Sequence, residues 1–525
     1  MRLVYPREGD LSGRIVKEYS PDGFSKVYIV ERRGIRYYVL EDPKVSGEEL
    51  KFIRDVIESQ LIYLARPSDV RDEHAMRELL KKVGIADEKL VYLIIREVVG
   101  YKILHPLIMD EYLEDILCTR AGLPLVVLHQ QYGRMDTNIV LSEEEADDLV
   151  RMLAYKGGKT ISRFMAKLDS VILPTGDRAR LVYRSEVSPT SNFTIRKFPR
   201  KPWTPPKMLA TGMVSTEALA WLWLAVEYKL PVVMFGVMGS AKTSLQNTLG
   251  MLIKPDSSIS IVADCPELKV PHPIKYEFYT RMPESIERLG EITMEDLIAH
   301  ALRASVDYVL VNEVRFREAR AFAQAVATGH GGITTFHASD MTTLFGRLKD
   351  LGVERSIAES LRIFVHCAIF LARRGDEPVR LRRVRRIYFL KGLDGSWRPD
   401  FEVLYDYNAS RDILEASSIE DSAFLEHLSK VSLLDKDVLL REHDLRRRFL
   451  DLVLKARERD RGVEEAEVWF RLLKQFYADK LACLKRLEAL YRSVEVKKPR
   501  YVIQVSEEEL EKLRKAGVRF EVVEA

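Results

Sequence analysis

Two kinds of hydrophobic pattern alternate over the first 200 residues. Residues 12–40 alternate apolar and polar positions on either side of an ERRG segment, which predicts paired strands joined by a turn. From residue 47 to about residue 100 the apolar positions recur with helical spacing. Strand-like runs return at 124–132 and 179–187. The pattern therefore predicts both strands and helices in the N-terminal region.

The pattern changes after a basic, proline-rich segment at 196–207. Its four prolines disfavour a helix and predict a stiff, extended connector at a domain boundary. Beyond it, short apolar runs alternate with helical stretches, at 231–235, 258–262, 308–311 and 333–336. Near-continuous apolar strands that alternate with helices predict a parallel sheet covered on both faces.

No segment has the pattern of a signal peptide or a membrane span. The N-terminal sequence MRLVYPREGD lacks the apolar run of a signal peptide. The most apolar window, residues 218–235, is interrupted by Glu227, Lys229 and Pro231, whereas a spanning helix needs about 20 apolar residues. It predicts a buried helix followed by a buried strand. We expect a cytoplasmic protein that associates only peripherally with the inner face of the cell membrane.

Charge and cysteine content narrow the classes of function. The chain has 82 Lys and Arg residues against 79 Asp and Glu residues, a formal net charge of +3, which argues against nucleic-acid binding over the whole surface. The four cysteines lie far apart in the sequence and form no metal-ligand pair. A reduced, intracellular protein is the simpler interpretation.

The segment FGVMGSAKTSLQN, residues 235–247, carries the strongest chemical signal. Gly236, Lys242 and Thr243 fit the phosphate-loop spacing GxxxxGK[ST], but Ala241 replaces the second glycine. A buried strand precedes the loop and a helix follows it, so backbone N–H groups and the helix dipole converge where a phosphate would lie. Lys242 would reach the β- and γ-phosphates of ATP, and the Thr243 hydroxyl would ligate Mg²⁺.

Ala241 weakens this motif without removing it. If the position needs a positive φ, a residue other than glycine costs about 1–2 kcal/mol. If φ is negative, the cost falls on clearance between the methyl group and the nucleotide. Either cost is small beside about −8 kcal/mol for binding at micromolar affinity. We expect binding to survive, while a strand–helix turn that binds no nucleotide remains the alternative.

Further polar residues lie at the ends of the predicted strands. Glu313 ends one apolar strand, which would place a carboxylate near Mg²⁺ and an attacking water. Asp264 and Glu267 follow another strand, and His330 and His337 flank a glycine-bearing loop and strand. A solvated glutamate and structural histidines are the alternatives.

Five segments in this order resemble the secretion-type traffic ATPases, in particular the archaeal branch of type II and type IV secretion, pilus and archaellum machines. The resemblance runs from about residue 100 to residue 480. The segments are SNFTIRKF (191–198), the phosphate loop, the acidic box DCPELKVPH (264–272), the Walker B segment VNEVR (311–315) and the histidine box GHGGITTFHA (329–338).

The resemblance implies an α/β fold with an N-terminal α/β domain, a RecA-like P-loop NTPase domain with a parallel sheet, and a helical C-terminal region. The domains implied are 1–100 (β-hairpin and helices), 101–200 (N-terminal α/β domain), 201–400 (RecA-like ATPase domain), 401–495 (helical region) and 496–525 (a small β-α-β appendage). Residues 501–523 read as strand, helix, strand.

The resemblance also implies roles for individual residues. The nucleotide would contact the loop residues and the first histidine: Gly236, Gly239, Ser240, Ala241, Lys242, Thr243, Ser244 and His330. The catalytic residues would be Lys242, Glu313, Glu267, Arg303, Arg315 and His337. Thr243, Asp264 and Glu313 would hold the metal. Arg196 and Arg281 are weaker candidates for sensing the γ-phosphate.

The sequence departs from the family pattern near these residues. Besides Ala241, Asn312 and Phe316 replace glycines around the Walker B acid, and Ala263 stands where the acidic box usually carries glutamate. Losing a group that orients the attacking water costs about two to four decades in rate. Glu267 or Glu313 would have to compensate, so the efficiency of hydrolysis stays open at this point.

Three functions compete. The first is a cytoplasmic, hexameric ATPase that powers a pilus-like or secretion machine through a polytopic membrane platform protein, and acts indirectly on pilin-like subunits. The second is a catalytically weakened, nucleotide-dependent scaffold subunit. A conjugation-type DNA-transfer ATPase is third, because the near-neutral charge predicts no specific nucleic acid. The seven arginines and one lysine of residues 373–392 predict either an edge strand with solvated charges or a contact for the platform protein or anionic lipid.

Overall fold

The structure is a computed structural model that describes residues 4–66, 69–70, 72–281, 290–374 and 377–495. Within these ranges two nine-stranded sheets follow one another along the chain, and helices pack on both. The predicted α/β class, with an N-terminal α/β region, a later parallel sheet and a helical end, is confirmed. The tail that was predicted as strand, helix, strand lies outside the described residues.

The first sheet is almost entirely antiparallel. Its strands are β1 (Arg14–Tyr19), β2 (Lys26–Arg32), β3 (Ile35–Glu41), β4 (Leu113–Cys118), β5 (Pro124–His129), β6 (Gly133–Val140), β7 (Lys167–Ile172), β8 (Arg178–Val182) and β9 (Asn192–Arg196). Their order is β1-β2-β3-β6-β5-β4-β9-β8-β7, and β3 runs parallel to β6. The paired strands predicted over residues 12–40 are three strands, β1 to β3, and they share one sheet with the six strands that follow.

Helices of the N-terminal half form a small bundle and cover the first sheet. They are α1 (Gly47–Asp55), α2 (Ile62–Leu64), α3 (Glu73–Lys82), α4 (Glu88–Val98), α5 (His105–Met109) and α6 (Glu143–Lys156). A π-helical turn, Val56–Leu61, joins α1 to α2. The side chains of Ser46 and Ser142 cap α1 and α6 in capping boxes, which fixes where these helices begin.

The second sheet has a parallel half and an antiparallel half. Its strands are β10 (Val232–Phe235), β11 (Ile259–Ala263), β12 (Lys275–Tyr279), β13 (Tyr308–Val314), β14 (Gly331–Phe336), β15 (Ile363–Arg374), β16 (Glu377–Leu393), β17 (Pro399–Asn408) and β18 (Ile413–Ala416). The order is β12-β11-β13-β14-β10-β15-β16-β17-β18, and the first six of these are parallel. The predicted parallel sheet is confirmed.

The remaining helices cover both faces of the second sheet and extend beyond it. They are α7 (Pro205–Ala210), α8 (Thr216–Glu227), α9 (Lys242–Gly250), α10 (Met294–Arg303), α11 (Glu318–Ala327), α12 (Met341–Asp350), α13 (Arg355–Ala358), α14 (Ala423–Ser432), α15 (Lys436–Arg459), α16 (Ala466–Ala478) and α17 (Lys480–Glu495). Val232 and Met234 pack with α8 and α9, whereas Val233 and Phe235 pack with α11 and α12. Successive strand residues thus face opposite cores.

The apolar window at 218–235 is a buried helix and a buried strand, as predicted. Trp221 and Trp223 of α8 lie in the core against the C-terminal helices, where Trp223 packs on Phe449 and Phe476. In the described part of the chain, no helix combines the length and apolar character that crossing a bilayer requires.

Three local predictions were wrong. The proline-rich connector contains a helix start, because Pro205 and Pro206 occupy the first turn of α7, where the missing N–H groups cost nothing. The basic stretch is not an edge strand, because β16 pairs with β15 and β17. The helical region implied for 401–495 opens with most of β17 and with β18, and its first helix begins at Ala423.

Candidate active site at the carboxyl edge of the parallel sheet

The phosphate loop leaves β10 at Gly236 and ends where α9 begins at Lys242. Gly236 has φ 147°, and a Cβ added there would lie 2.1 Å from the carbonyl oxygen of Cys367 on β15. Only glycine fits this close approach to a neighbouring strand. Ala241 has φ 67°, so it pays the cost of a left-handed conformation that the sequence left open, about 1–2 kcal/mol. Its methyl group packs against the large core and offsets part of that cost.

Lys242 is buried, and its ammonium group lies inside the loop. Its Nζ donates to the carbonyl oxygens of Gly236 at 3.0 Å and Val237 at 2.9 Å. Burial lowers the pKa of Lys242, and nearby acidic groups, including Glu313, oppose the shift only in part. A cation held by neutral carbonyl groups in a loop next to a helix N-terminus is the arrangement that an anionic ligand would complete.

Glu313 lies near the carboxyl end of β13, close to the loop. Nε2 of His337 lies 2.9 Å from its Oε1, and the guanidinium group of Arg315 donates to its Oε2. Burial raises the pKa of Glu313, but His337 and Arg315 beside the carboxylate outweigh burial and lower the pKa to about 2. Glu313 is therefore an ionised carboxylate at neutral pH.

His337 lies between Lys242 and Glu313. Its Nδ1 is 3.4 Å from Nζ of Lys242, and its Nε2 faces the Glu313 carboxylate. An ammonium group only donates and a carboxylate only accepts. His337 therefore lies within 3.4 Å of the loop lysine and within 2.9 Å of the β13 carboxylate, although Oε1 of Glu313 accepts no hydrogen bond from the described residues.

Glu267 of the acidic box contacts Asn312, the residue that precedes Glu313 on β13. The side-chain amide of Asn312 donates from Nδ2 to Oε2 of Glu267 at 2.9 Å. Asn312 is 7% exposed, and its Oδ1 has no hydrogen-bond partner among the described residues. Glu267 also raises the pKa of Arg315, after the larger effect of Glu313, so it lies within electrostatic range of this arginine. Ala263 is fully buried at the end of β11, and Thr280 donates from Oγ1 to Asp264 at 3.0 Å.

These residues fit a nucleotide and a hard divalent cation. The loop offers a buried ammonium group and backbone N–H groups for phosphate, and Thr243 offers a hydroxyl in the first turn of α9. Glu313 and Asp264 offer carboxylate oxygens, the donors that Mg²⁺ prefers. Within the described ranges, no three His, Cys, Asp or Glu side chains are grouped to hold a metal alone. Mg²⁺ that binds together with a nucleotide takes one or two carboxylates and phosphate oxygens as ligands.

The other predicted loop residues lie where the loop spacing puts them. Gly239 is exposed with φ 75°, and Ser240 is buried, with its Oγ donating to the Val237 carbonyl at 2.8 Å. Ser244 is partly exposed in the first turn of α9.

Two predicted site residues do not join this group. His330 precedes β14 and its Nδ1 contacts the carbonyl oxygen of Ala325 at 3.1 Å, whereas His337 follows the same strand. A strand of this length separates them by about 20 Å. Arg303 ends α10 before β13 begins, at the edge opposite the loop.

The two weaker arginine candidates differ from each other. Arg281 donates to the carbonyl oxygen of Gly290 and forms a bridge with Ile292. Arg196 of β9 donates from Nε to Asp115 at 3.1 Å, and its Nη2 lies 3.7 Å from Sδ of Met238 in the loop. Arg196 therefore brings the first sheet to the candidate site.

Arg382 also reaches the loop, where its Nε donates to the carbonyl oxygen of Gly239 at 2.8 Å. Nothing in the sequence distinguishes it from the other arginines of the basic stretch. Several basic residues of β16 pair with carboxylates on neighbouring elements: Arg382 with Glu114, Arg383 with Asp412, Arg386 with Asp406 and Lys391 with Asp400. Alternation along the strand does not reveal these partners, because they lie elsewhere in the chain.

Comparison with known proteins identifies a family for part of the chain. Residues 173–374, less than half of the chain, match the family described as type II/IV secretion system protein. The predicted resemblance to secretion ATPases is thereby confirmed.

Individual relatives cover the chain to different extents. An uncharacterized protein of Methanocaldococcus jannaschii is 33% identical over 60% of this chain and 58% of its own length. The chain thus spans less than two thirds of that relative. A Mycobacterium tuberculosis protein whose name assigns it provisionally to conjugal transfer is 26% identical over 61% of this chain and 94% of its own. The crystal structure of the VirB11 ATPase from the Brucella suis type IV secretion system, in complex with sulphate, is 23% identical and covers 55% of this chain and 95% of that one. Its TM-score of 0.27 is too low to support an argument.

Proposed function

We propose that this chain, whose residues 173–374 carry a type II/IV secretion system protein domain, is an ATP-binding and ATP-hydrolysing motor subunit. The motor would power assembly or secretion by a type IV pilus-like or type II secretion-like machine. The observation that supports this proposal best is the position of Lys242 inside the loop, linked through His337 to Glu313. These three side chains come from separate segments that meet at the carboxyl edge of one parallel sheet, where α/β proteins bind ligands.

We assign the site residues as follows. The loop amides and Lys242 would hold the phosphates, and Thr243, Glu313 and Asp264 would hold Mg²⁺. Bound Mg²⁺–ATP supplies an activated phosphoryl group for attack by water. Glu267 orients that water as a general base, and Arg315 keeps Glu313 ionised. Arg303 and His330 lie outside this group within one subunit, so their nucleotide roles would need a neighbouring subunit.

Asn312 bears on whether the site is active despite its departures from the family. Ala263 removes one carboxylate, but the Asn312 amide holds Glu267 with a hydrogen bond of 2.9 Å. The unpartnered Oδ1 of Asn312 is an acceptor that a water molecule can satisfy. Asn312 thus positions Glu267, an acidic-box carboxylate that remains although Ala263 replaces another. This arrangement favours an active enzyme.

The finer assignments are proposals as well. We propose a homohexamer at the inner face of the cell membrane, with the nucleotide between domains and between subunits. A polytopic platform protein would be the direct partner, and pilin-like subunits would be moved indirectly. The domain division at residues 100, 200, 400 and 495 is part of the same proposal.

Replacement of Lys242 tests the proposal. Lys242→Ala removes the only side-chain cation placed inside the loop among the described residues, so we expect ATP turnover to fall at least about 100-fold. Lys229→Ala is the matched control, because this lysine pairs with Asp307 at the opposite edge of the sheet. We expect the control to keep wild-type turnover. Equal turnover in wild type and Lys242→Ala would refute the site assignment.

A weakened, nucleotide-dependent scaffold subunit is the second candidate. The left-handed Ala241 and the buried Ala263 favour it. If the chain is such a scaffold, the double variant Ala241→Gly, Ala263→Glu should raise a low basal turnover sharply. If wild type hydrolyses ATP and the folded double variant turns it over at the same rate, the scaffold hypothesis is excluded.

A conjugation-type DNA-transfer ATPase is the third candidate, and the name of the Mycobacterium tuberculosis relative is the observation that favours it. The net charge of +3 opposes it, because DNA binding depends on neutralising many phosphates. Tight, strongly salt-dependent binding of duplex DNA to the purified chain would support this candidate, and its absence would remove it.

A further inference from the structure

Arg382 joins the phosphate loop to the first sheet. From β16, its Nε donates to the carbonyl oxygen of Gly239 at 2.8 Å, and its Nη2 donates to Oε1 of Glu114 at 2.6 Å. Glu114 lies on β4, 268 residues away in the sequence. The two bonds use different nitrogens of one planar guanidinium group, so its orientation is fixed by both partners at once.

The contact with Gly239 adds a restraint to a peptide group that the loop itself holds through a 3.4 Å hydrogen bond from Ser240 to the Val237 carbonyl oxygen. Gly239 has φ 75°, and a Cβ added there would meet only Ile369 Cδ1, at 3.9 Å. Little steric contact therefore restrains this glycine. In a trans peptide the C=O of Gly239 and the N–H of Ser240 point in opposite directions. The N–H of Ser240 donates to the carbonyl oxygen of Val237, with 3.4 Å between nitrogen and oxygen, so the loop holds one side of this peptide and Arg382 holds the other.

Glu114 makes this restraint depend on the first sheet. Its side chain is 31% exposed and that of Arg382 is 25% exposed, so water screens the pair only in part. Burial raises the pKa of Glu114 and Arg382 opposes the rise, so loss of the arginine would leave a poorly solvated carboxylate. The adjacent Asp115 holds Arg196, whose guanidinium group touches Met238 in the same loop. Two neighbouring carboxylates of β4 thus support two arginines that contact the loop.

We propose that Arg382 is a positioning residue, which holds the Gly239–Ser240 peptide in the orientation that binds phosphate and transmits the position of β4 to the loop. The proposal rests on the proposed nucleotide-binding function of the loop. It goes beyond that function by making nucleotide affinity depend on Glu114, a residue of the first sheet. If the first sheet moves away from β16, the loop loses its outer restraint and the affinity falls.

Two measurements on the full chain test this proposal. The first is amide hydrogen exchange of residues 237–242 without any ligand. Arg382→Gln and Glu114→Gln should each increase exchange in this segment several-fold, because the peptide loses its outer hydrogen bond or the support for it. Arg386→Gln is the matched control, because it removes the same charge from the same strand while its partner, Asp406, lies on β17 at 2.8 Å. The control should leave exchange of the loop unchanged.

The second measurement is the dissociation constant for ADP, obtained by titration calorimetry. We expect Arg382→Gln to weaken binding about tenfold and Glu114→Gln about threefold, as for a charge-assisted hydrogen bond and its support. The double variant should bind no worse than Arg382→Gln alone, because both changes remove one linked contact. Arg386→Gln should stay within about twofold of wild type.

The outcomes separate this inference from the proposed function. If wild type binds ADP and Lys242→Ala does not, but Arg382→Gln matches wild type in exchange and affinity, the inference is wrong and the function stands. If wild type binds no nucleotide, the function is wrong, while faster loop exchange would still report the restraint. If Arg382→Gln does not fold, Arg382→Lys replaces it. A lysine reaches only one of the two partners, so weaker ADP binding by Arg382→Lys than by wild type supports the inference. Wild-type exchange and affinity in both Arg382→Lys and Glu114→Gln overturn it.

Discussion

The two ends of β14 carry one histidine each, and the two have different surroundings. His337 follows the strand and contacts Lys242 and the Glu313 carboxylate, both from other segments. His330 precedes the strand and contacts only its own neighbourhood, the Ala325 carbonyl oxygen at 3.1 Å and the Thr328 hydroxyl at 3.2 Å, among the contacts that the structure describes.

The difference follows from the direction of the strands. In a parallel sheet the carboxyl ends of all strands meet at one edge, so residues that follow strands come together there. The loop after β10, Glu313 on β13 and His337 after β14 share that edge. The opposite edge holds connections that begin strands, and Asp307 before β13 pairs there with Lys229 and Ser258. The two histidines differ because one precedes β14 and the other follows it.

Exchange of the two histidines for alanine tests this contrast most strongly. His337→Ala breaks the connection between Lys242 and Glu313, so we expect kcat to fall about 100-fold, within the range for a positioned acid–base group. His330→Ala removes contacts to Ala325 and Thr328, and we expect kcat within about threefold of wild type. Steady-state ATPase assays of both variants give the comparison. Equal losses in the two variants would contradict it.

Asn312 provides a second test of the carboxyl edge of the sheet, where changes should affect turnover. Asn312→Gly removes the hydrogen bond to Glu267, and we expect kcat to fall about tenfold while the affinity for ADP changes less than twofold. Asn312→Asp, which cannot donate to a carboxylate and adds a like charge, should be at least as slow. Turnover that rises in Asn312→Gly would show that the asparagine impairs the site.

The opposite edge should affect stability rather than turnover. Burial raises the pKa of Asp307, but hydrogen bonds from Ser258 and Lys229 outweigh it and lower the pKa from 3.8 to about 2. Because the folded-state pKa is below the unfolded value, Asp307 stabilises the fold above about pH 4, and this contribution is lost as pH falls toward 2. Asp307→Asn should lower the thermal midpoint at pH 7 by about 2–4 °C and flatten its acid dependence, with unchanged kcat. A loss of turnover without a loss of stability would argue against two functionally distinct edges.

Ala241→Gly is expected to have the smallest effect. Glycine relieves the left-handed strain at φ 67° but loses the methyl contact with the core and gains freedom in the unfolded chain. These terms oppose each other, so we expect a change in stability below about 1 kcal/mol and ADP affinity within about threefold. Denaturant unfolding and calorimetry measure both. A much tighter binding of ADP would mean that the methyl group obstructs the nucleotide.

The parts that the sequence predicted are those carried by neighbouring residues. Apolar runs predicted the parallel strands, because a strand covered on both faces must be apolar at nearly every position. The loop residues of 236–243 were predicted because their spacing alone defines a strand–loop–helix unit. The sequence did not predict that the two histidines of the histidine box lie at opposite edges of the sheet. The bounds of β14 show it, because the six residues of this strand lie between His330 and His337.

The parts that the sequence missed depend on tertiary pairing. Arg382 and Glu114 are far apart in the chain and meet only because β16 packs near β4. The basic stretch therefore looked like a solvated edge or a membrane contact, although Arg383 and Arg386 are paired with Asp412 and Asp406. Charge count along one strand carries no information on the carboxylates that face it.

A crystal structure of the full chain with a non-hydrolysable ATP analogue and Mg²⁺ tests the central claim most directly. We predict the triphosphate against the amides of residues 236–243, with Nζ of Lys242 turned from the Gly236 and Val237 carbonyl oxygens toward the phosphates. Density for the analogue at another place, or none at millimolar concentration, would contradict the claim.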